Sequence, residues 1–133
     1  MGANQRGFGL VESLVALLVL SLGLVAMAAL QLKSLQSARD GYRQTLASVA
    51  ALDAQERLWA EYRTAPACAD IALGRVERHW RQYWFEEGAA LLAGDALGTI
   101  EREGCAFLIT VTRVSFEPAT YRLELPARPK GRP

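Results

Sequence analysis

The chain has one histidine, two cysteines and two methionines in 133 residues, and it lacks an excess of either charge, with 15 Lys+Arg against 14 Asp+Glu. A near-neutral balance removes any global electrostatic reason to bind nucleic acid, so a claim of that kind needs a concentrated local patch. The single histidine, His79, lies between Arg78 and Trp80 with no Cys, His or carboxylate at zinc-ligand spacing, and no metal is expected. Neither a nucleophile elbow nor a phosphate-binding glycine loop is present, and Ser13 and Ser21 fall inside an apolar run. The expectation is a protein that is not an enzyme and holds no cofactor. Its length sets a ceiling of about one compact domain.

Hydrophobic residues make up 51% of the chain, and the excess is concentrated near the amino terminus. From Ser13 to Leu32 no charged residue occurs. About 20 residues at helical rise match a hydrocarbon core of about 30 Å, and Leu, Val and Ala cover every face, as lipid contact demands. A membrane-spanning helix is expected. Gly23, Ala26, Ala28 and Ala29 mark either a helix-contact face or lipid-tolerant filler. A cleaved secretory signal fits poorly, because the run is too long and only Arg6 precedes it as a basic side chain. Beyond Leu32, Leu35, Ala38, Tyr42, Leu46, Val49, Leu52 and Trp59 recur at three- and four-residue steps among charged residues. This predicts an amphipathic continuation of the same helix, with Gly41 lowering local propensity by about 1 kcal/mol.

Glu12 stands at the leading edge of the apolar run. A carboxylate toward the bilayer centre costs about 2.5 to 3.5 kcal/mol, so it requires a reason. A local one exists, since a helix amino terminus favours an anion through its dipole and its unpaired N–H groups. The neighbourhood supplies another. The stretch RGFGLVESLVALLVL resembles the prepilin peptidase site of the type IV pilin family, in which a short basic leader ends in Gly, Phe follows, the fifth residue after the cut is Glu, and an apolar helix continues. Arg6, Gly7, Phe8 and Glu12 occupy those places. Within that family the longer apolar and amphipathic sequence is most similar to minor pilins, with the I-type pseudopilins of type II secretion as the close rival.

The resemblance implies cleavage between Gly7 and Phe8, N-methylation of Phe8 and retention of the apolar helix. It implies residues 1–7 as leader, 8–32 as transmembrane and assembly helix, and 33–62 as its exported continuation. Cleavage would leave an α-amine of ordinary pKa about 8 at Phe8, near Glu12 in its own helix or a neighbour's. In a low dielectric an ammonium opposite a carboxylate is tolerated where a lone carboxylate is not, which suits a register device between stacked helices. The family reading assigns Glu12 to that inter-subunit contact; the intra-helical pairing stays open. The partners implied are prepilin peptidase, the inner-membrane assembly platform, and other minor pilins and the major pilin through the amino-terminal helix. The implied location is the bacterial inner membrane, with amino terminus cytoplasmic and head periplasmic, and afterwards the fibre or its tip. Charge counting mildly favours the opposite orientation, with Arg6 before the span and Lys33, Arg39 and Arg43 after it, and the orientation rests instead on the cysteines beyond the span.

Cys68 and Cys105 are the only cysteines, and both lie beyond the span. A pair in a small domain suggests a disulfide made in an oxidising compartment, against two unlinked buried thiols. Residues 63–126 read as a small α+β head. RTAPACADIALG leaves the long helix, and GRVERHWRQYWFEEGAALLAG reads as a second amphipathic helix ending near Gly88 or Gly94. TIEREGCAFLITVTRVSF and TYRLELP read as strands joined by EPAT, with Phe107, Ile109 and Val111 on one face. A long helix against a small antiparallel sheet is also what the pilin resemblance implies. Trp80, Tyr83 and Trp84, among Arg75, Arg78 and Arg81, read as core packing with a solvated face, and their exposed members are a candidate head interface; they are also a weak nucleic-acid candidate, which the interleaved glutamates oppose. The ending 127–133, ARPKGRP, reads as a basic flexible tail. A different-class alternative is a bitopic membrane protein whose periplasmic domain binds a soluble ligand, with Glu12 an ordinary cap.

Overall fold

The computed structural model describes residues 6–86, 88 and 90–128. The architecture is α+β: a long helix α1 (Arg6–Thr64), a 3₁₀ turn (Cys68–Asp70), a short helix α2 (Leu73–Arg81) running into a π-helical turn (Gln82–Glu86), and strands β1 (Ala96–Glu103), β2 (Ala106–Arg113) and β3 (Ala119–Glu124). The chain divides between Gly41 and Tyr42 into two units.

The amino-terminal unit is the first part of α1. Every large apolar side chain from Leu10 to Leu35 is more than half exposed, including Leu14, Leu18, Val25 and Leu32. Among the described residues this helix is long and apolar enough to cross a membrane, and none of its most apolar window is buried. Its hydroxyls are satisfied within the helix: Ser13 donates to the Gly9 carbonyl at 2.7 Å and Ser21 to the Leu18 carbonyl at 2.8 Å. Such back-bonding lets serine sit where no water is available.

The carboxy-terminal unit packs β1, β2 and β3, in that spatial order and all antiparallel, with the later turns of α1 and with α2. Phe107, Ile109 and Val111 are buried on one face of β2, with Thr112 exposed on the other. Alternation therefore placed these side chains on the shared face read from the sequence. The stretch 99–116 is divided by a two-residue turn at Gly104 and Cys105, where Gly104 takes φ 65° and Glu103 pairs with Ala106. Glycine supplies the left-handed conformation this tight hairpin needs.

The helix face that packs is not the one marked by large residues. Ala47, Ala50, Ala51, Ala54, Leu58 and Tyr62 are buried, whereas Tyr42, Val49 and Leu52 are exposed and Leu46 and Trp59 only lean on the core. Close approach explains the choice. The Trp80 indole N–H reaches the Ala50 carbonyl at 2.7 Å, a distance that leaves room for methyl groups and not for isobutyl ones at this contact.

Two side chains close the unit's ends. Arg128 donates to the carbonyls of Tyr62 (2.7 Å) and Ala65 (3.0 Å) and stacks on the Tyr62 ring, satisfying acceptors at the end of α1. The ending read as a solvated tail is thus anchored at Arg128, and residues 129–133 lie outside the described residues. Replacing Arg128 by Met should cost roughly 1 to 2 kcal/mol, measured by thermal unfolding of the full chain in detergent micelles; an unchanged midpoint would show that water caps the helix equally well. On the sheet's outer edge, hydrogen bonding to Glu124, outweighing desolvation and helped by Glu103, holds the Arg122 guanidinium above its ordinary pKa.

Candidate functional site

Gly7 and Phe8 lie in the first turn of α1. Residues 1–5 and the side chains of Arg6 and Phe8 fall outside the described residues. Glu12 follows Phe8 by four residues, about 6 Å along the axis, and its side chain is exposed between Val11, Val15 and Ala16. Among the described residues no cation pairs with it: the recorded ion pairs all involve residues from Arg43 onward. An α-amine one turn away from Glu12 exists only after the bond between Gly7 and Phe8 is cut. The arrangement is therefore a lone carboxylate on an apolar helix surface, one turn beyond a Gly-Phe junction.

The cysteines are brought together. Cys68 in the 3₁₀ turn and Cys105 in the β1–β2 turn form a disulfide, with Cα atoms 5.3 Å apart across 37 positions of sequence. Arg102 reinforces the same junction by donating to the carbonyls of Ala69 (2.9 Å) and Ile71 and by stacking on Phe107.

The aromatic cluster divides between core and surface. Trp80 is fully buried and Trp84 nearly so, and only Tyr83 reaches the surface, 58% exposed. The indoles face inward because each N–H finds an acceptor on α1: Ala50 for Trp80, and the Asp53 carboxylate at 2.8 Å for Trp84. The π-helical turn adds a residue to the helical repeat and so presents Trp84 and Phe85 side by side to the core. Two of the three neighbouring arginines are paired locally, Arg75 with Glu61 at 2.8 Å and Arg81 with Glu77 (3.6 Å) and Glu86 (3.5 Å). A nucleic-acid groove would require those charges to be free. His79 lines a shallow cleft of about 150 Å³ with Arg57, Glu61 and Arg75, and among the described residues no three metal-ligating side chains cluster.

Residues 2–28 match the prokaryotic N-terminal methylation motif. The chain carries a type IV pilin-like signal. That match supports the pilin family and points to a structural protein of the pilin or pseudopilin type, and it spans the junction, Glu12 and most of the apolar run. The long apolar helix that bears the signal is consistent with a membrane-anchored protein. Comparison with the curated proteins gives no match, and comparison with the solved structures gives none either.

Two features of the structure had no counterpart in the sequence reading. The alanine stripe was legible in principle, since small residues at positions 47, 50, 51 and 54 keep helical spacing. Arg113, the other, shares the parity of Phe107, Ile109 and Val111, which marks an inward-facing charge.

Proposed function

We propose that this chain is a minor pilin, most like the group known as type IV pilus modification protein V. In this reading prepilin peptidase cuts between Gly7 and Phe8, Phe8 is N-methylated, and the apolar helix is drawn from the inner membrane into a bundle with other minor pilins and the major pilin. The observation that carries it is the methylation motif over residues 2–28 with a single carboxylate, Glu12, in the apolar helix. In a bundle core that carboxylate is stable opposite the new ammonium of a neighbouring subunit. The carboxy-terminal unit then serves as the periplasmic head through which contacts with other minor pilins prime or modify the fibre.

The test is the intact mass and amino-terminal sequence of the protein from membranes of cells with and without prepilin peptidase. A peptidase-dependent product beginning at methylated Phe8 is expected; an uncut Met1, or a cut after the apolar run, would overturn the proposal. Glu12→Gln should leave cleavage intact and lower the protein's content in sheared fibres at least tenfold, read by immunoblot. Undiminished incorporation would assign Glu12 to the local helix cap instead. Deleting the gene separates the two machines: loss of surface fibres is expected of a minor pilin, and loss of exoprotein secretion with fibres intact would make the chain a pseudopilin.

A further inference from the structure

Arg113, the last residue of β2, is the buried charged residue among the described ones, 7% exposed. Its Nη1 donates to the Gln44 amide oxygen at 3.2 Å, and its guanidinium lies 4.2 Å from the Phe116 ring centre. No carboxylate of the described chain pairs with it. A buried guanidinium facing only a neutral amide and a ring has no carboxylate to offset the cost of taking its charge out of water. Asp95 is near in the fold but is already held by Arg43 at 3.2 Å.

Beside Arg113 lies a cleft of about 350 Å³ lined by Phe85, Asp95, Leu97, Thr112, Arg113 and Val114. Its walls are mostly apolar, and its rim carries Leu97 and Val114, 64% and 73% exposed. Asp95, which lines the cleft, is paired with Arg43, so Arg43, Asp95 and Arg113 together carry one net positive charge beside apolar surface. Complementarity to that pattern is a negative charge with apolar groups on both sides of it.

We propose that this cleft docks an acidic side chain, Asp or Glu, carried on an apolar segment of a partner protein, with Arg113 as its counter-ion. The carboxylate enters the cleft and replaces water at the guanidinium, while the flanking apolar side chains cover Leu97 and Val114. Phe116 and Gln44 keep the guanidinium in place beforehand, so little side-chain entropy remains to be lost on docking. The inference is independent of processing at Gly7.

The experiment is an NMR titration of the full ¹⁵N-labelled chain in detergent micelles with acetyl-Leu-Glu-Leu-amide, and with the Gln peptide acetyl-Leu-Gln-Leu-amide. Saturable shifts at the Arg113 side chain and at the amides of Leu97, Thr112 and Val114 are expected with the Glu peptide, with affinity at least tenfold weaker for the Gln peptide. Leu97→Asp, a change at an exposed position, should keep the spectrum of the folded unit and abolish the response by placing a competing carboxylate at the rim. Equal binding of the two peptides, shifts spread away from the cleft, or a response that survives Leu97→Asp would overturn the proposal. So would preference for a Gln peptide bearing a free terminal carboxylate, or the same shifts appearing on concentrating the chain alone, which would name a chain terminus or a second copy as the occupant.

Discussion

Gly98→Ala should lower the stability of the carboxy-terminal unit by about 3 kcal/mol, at the upper end of ordinary overpacking, and its melting temperature by roughly 15 °C. A Cβ at Gly98 would stand 2.4 Å from Cη2 and 2.5 Å from Cζ3 of Trp80, and 2.6 Å from the Phe85 ring. Relief by movement is blocked on both sides. Trp80 has no exposure and is tethered to the Ala50 carbonyl, and Phe85 packs edge-on against it with ring centroids 5.2 Å apart. β1 cannot retreat either, because it is paired with β2 along its length and the Ile100 N–H donates to the Glu77 carboxylate of α2 at 2.7 Å. The control is Gly74→Ala, in α2, where nothing lies within 4 Å of the added atom. There the better helix propensity of alanine should raise stability by about 0.5 to 1 kcal/mol. Thermal unfolding of both full-length variants in the same micelles gives opposite signs if packing at Gly98 is as described, and a neutral Gly98→Ala would show that Trp80 has room to move.

The same contact shows where the sequence was legible and where it was not. Long-range patterning was legible: an uncharged apolar run, alternation in 107–111, and the order helix, short helix, strands all follow from periodicities of 3.6 and 2. What periodicity weighs poorly is small residues. Ala47, Ala50, Ala51 and Ala54 carry little hydrophobic signal, so the large side chains Tyr42, Val49 and Leu52 marked the opposite, exposed face. The choice between faces was made by the partner, a buried tryptophan that needs close backbone approach and an acceptor about thirty residues away in sequence. For the same reason the sequence left open which of Trp80, Tyr83 and Trp84 pack inward, a choice made by Ala50 and Asp53, which accept the two indole N–H groups. At the amino terminus the reverse holds. The signal around Gly7, Phe8 and Glu12 was readable from residue identity alone, and folding adds only that Glu12 has no internal counter-ion among the described residues. Tertiary contacts decide cores, and local sequence decides processing signals.

Removing the Cys68–Cys105 bond should cost about 4 kcal/mol on the chain-entropy account for a loop of this length. That is a large fraction of what a unit of this size commands, of order 5 to 15 kcal/mol in total. The bond joins the exit of α1 to the β1–β2 turn, and the 37-position loop between the two cysteines contains α2, both buried tryptophans and all of β1. Without it, the cross-links at that junction are the Arg102 bonds to Ala69 and Ile71 and the Leu125 amide donating to the Cys105 carbonyl at 2.9 Å. Cys68→Ala with Cys105→Ala is the better test than serine, because Cys68 is 4% exposed and a hydroxyl there would have to find a partner. The double variant should unfold at least 15 °C below the parent and become sensitive to protease between residues 65 and 104 at 37 °C, and dithiothreitol should bring the parent to the same behaviour. Arg102→Met on top of the double alanine variant should then cost more than it does in the oxidised parent, since it removes the remaining tie at a junction no longer covalently closed. An additive result would mean that the disulfide and Arg102 hold separate parts of the unit, and a reduced protein as stable as the oxidised one would mean that packing of the alanine face alone fixes the sheet on α1.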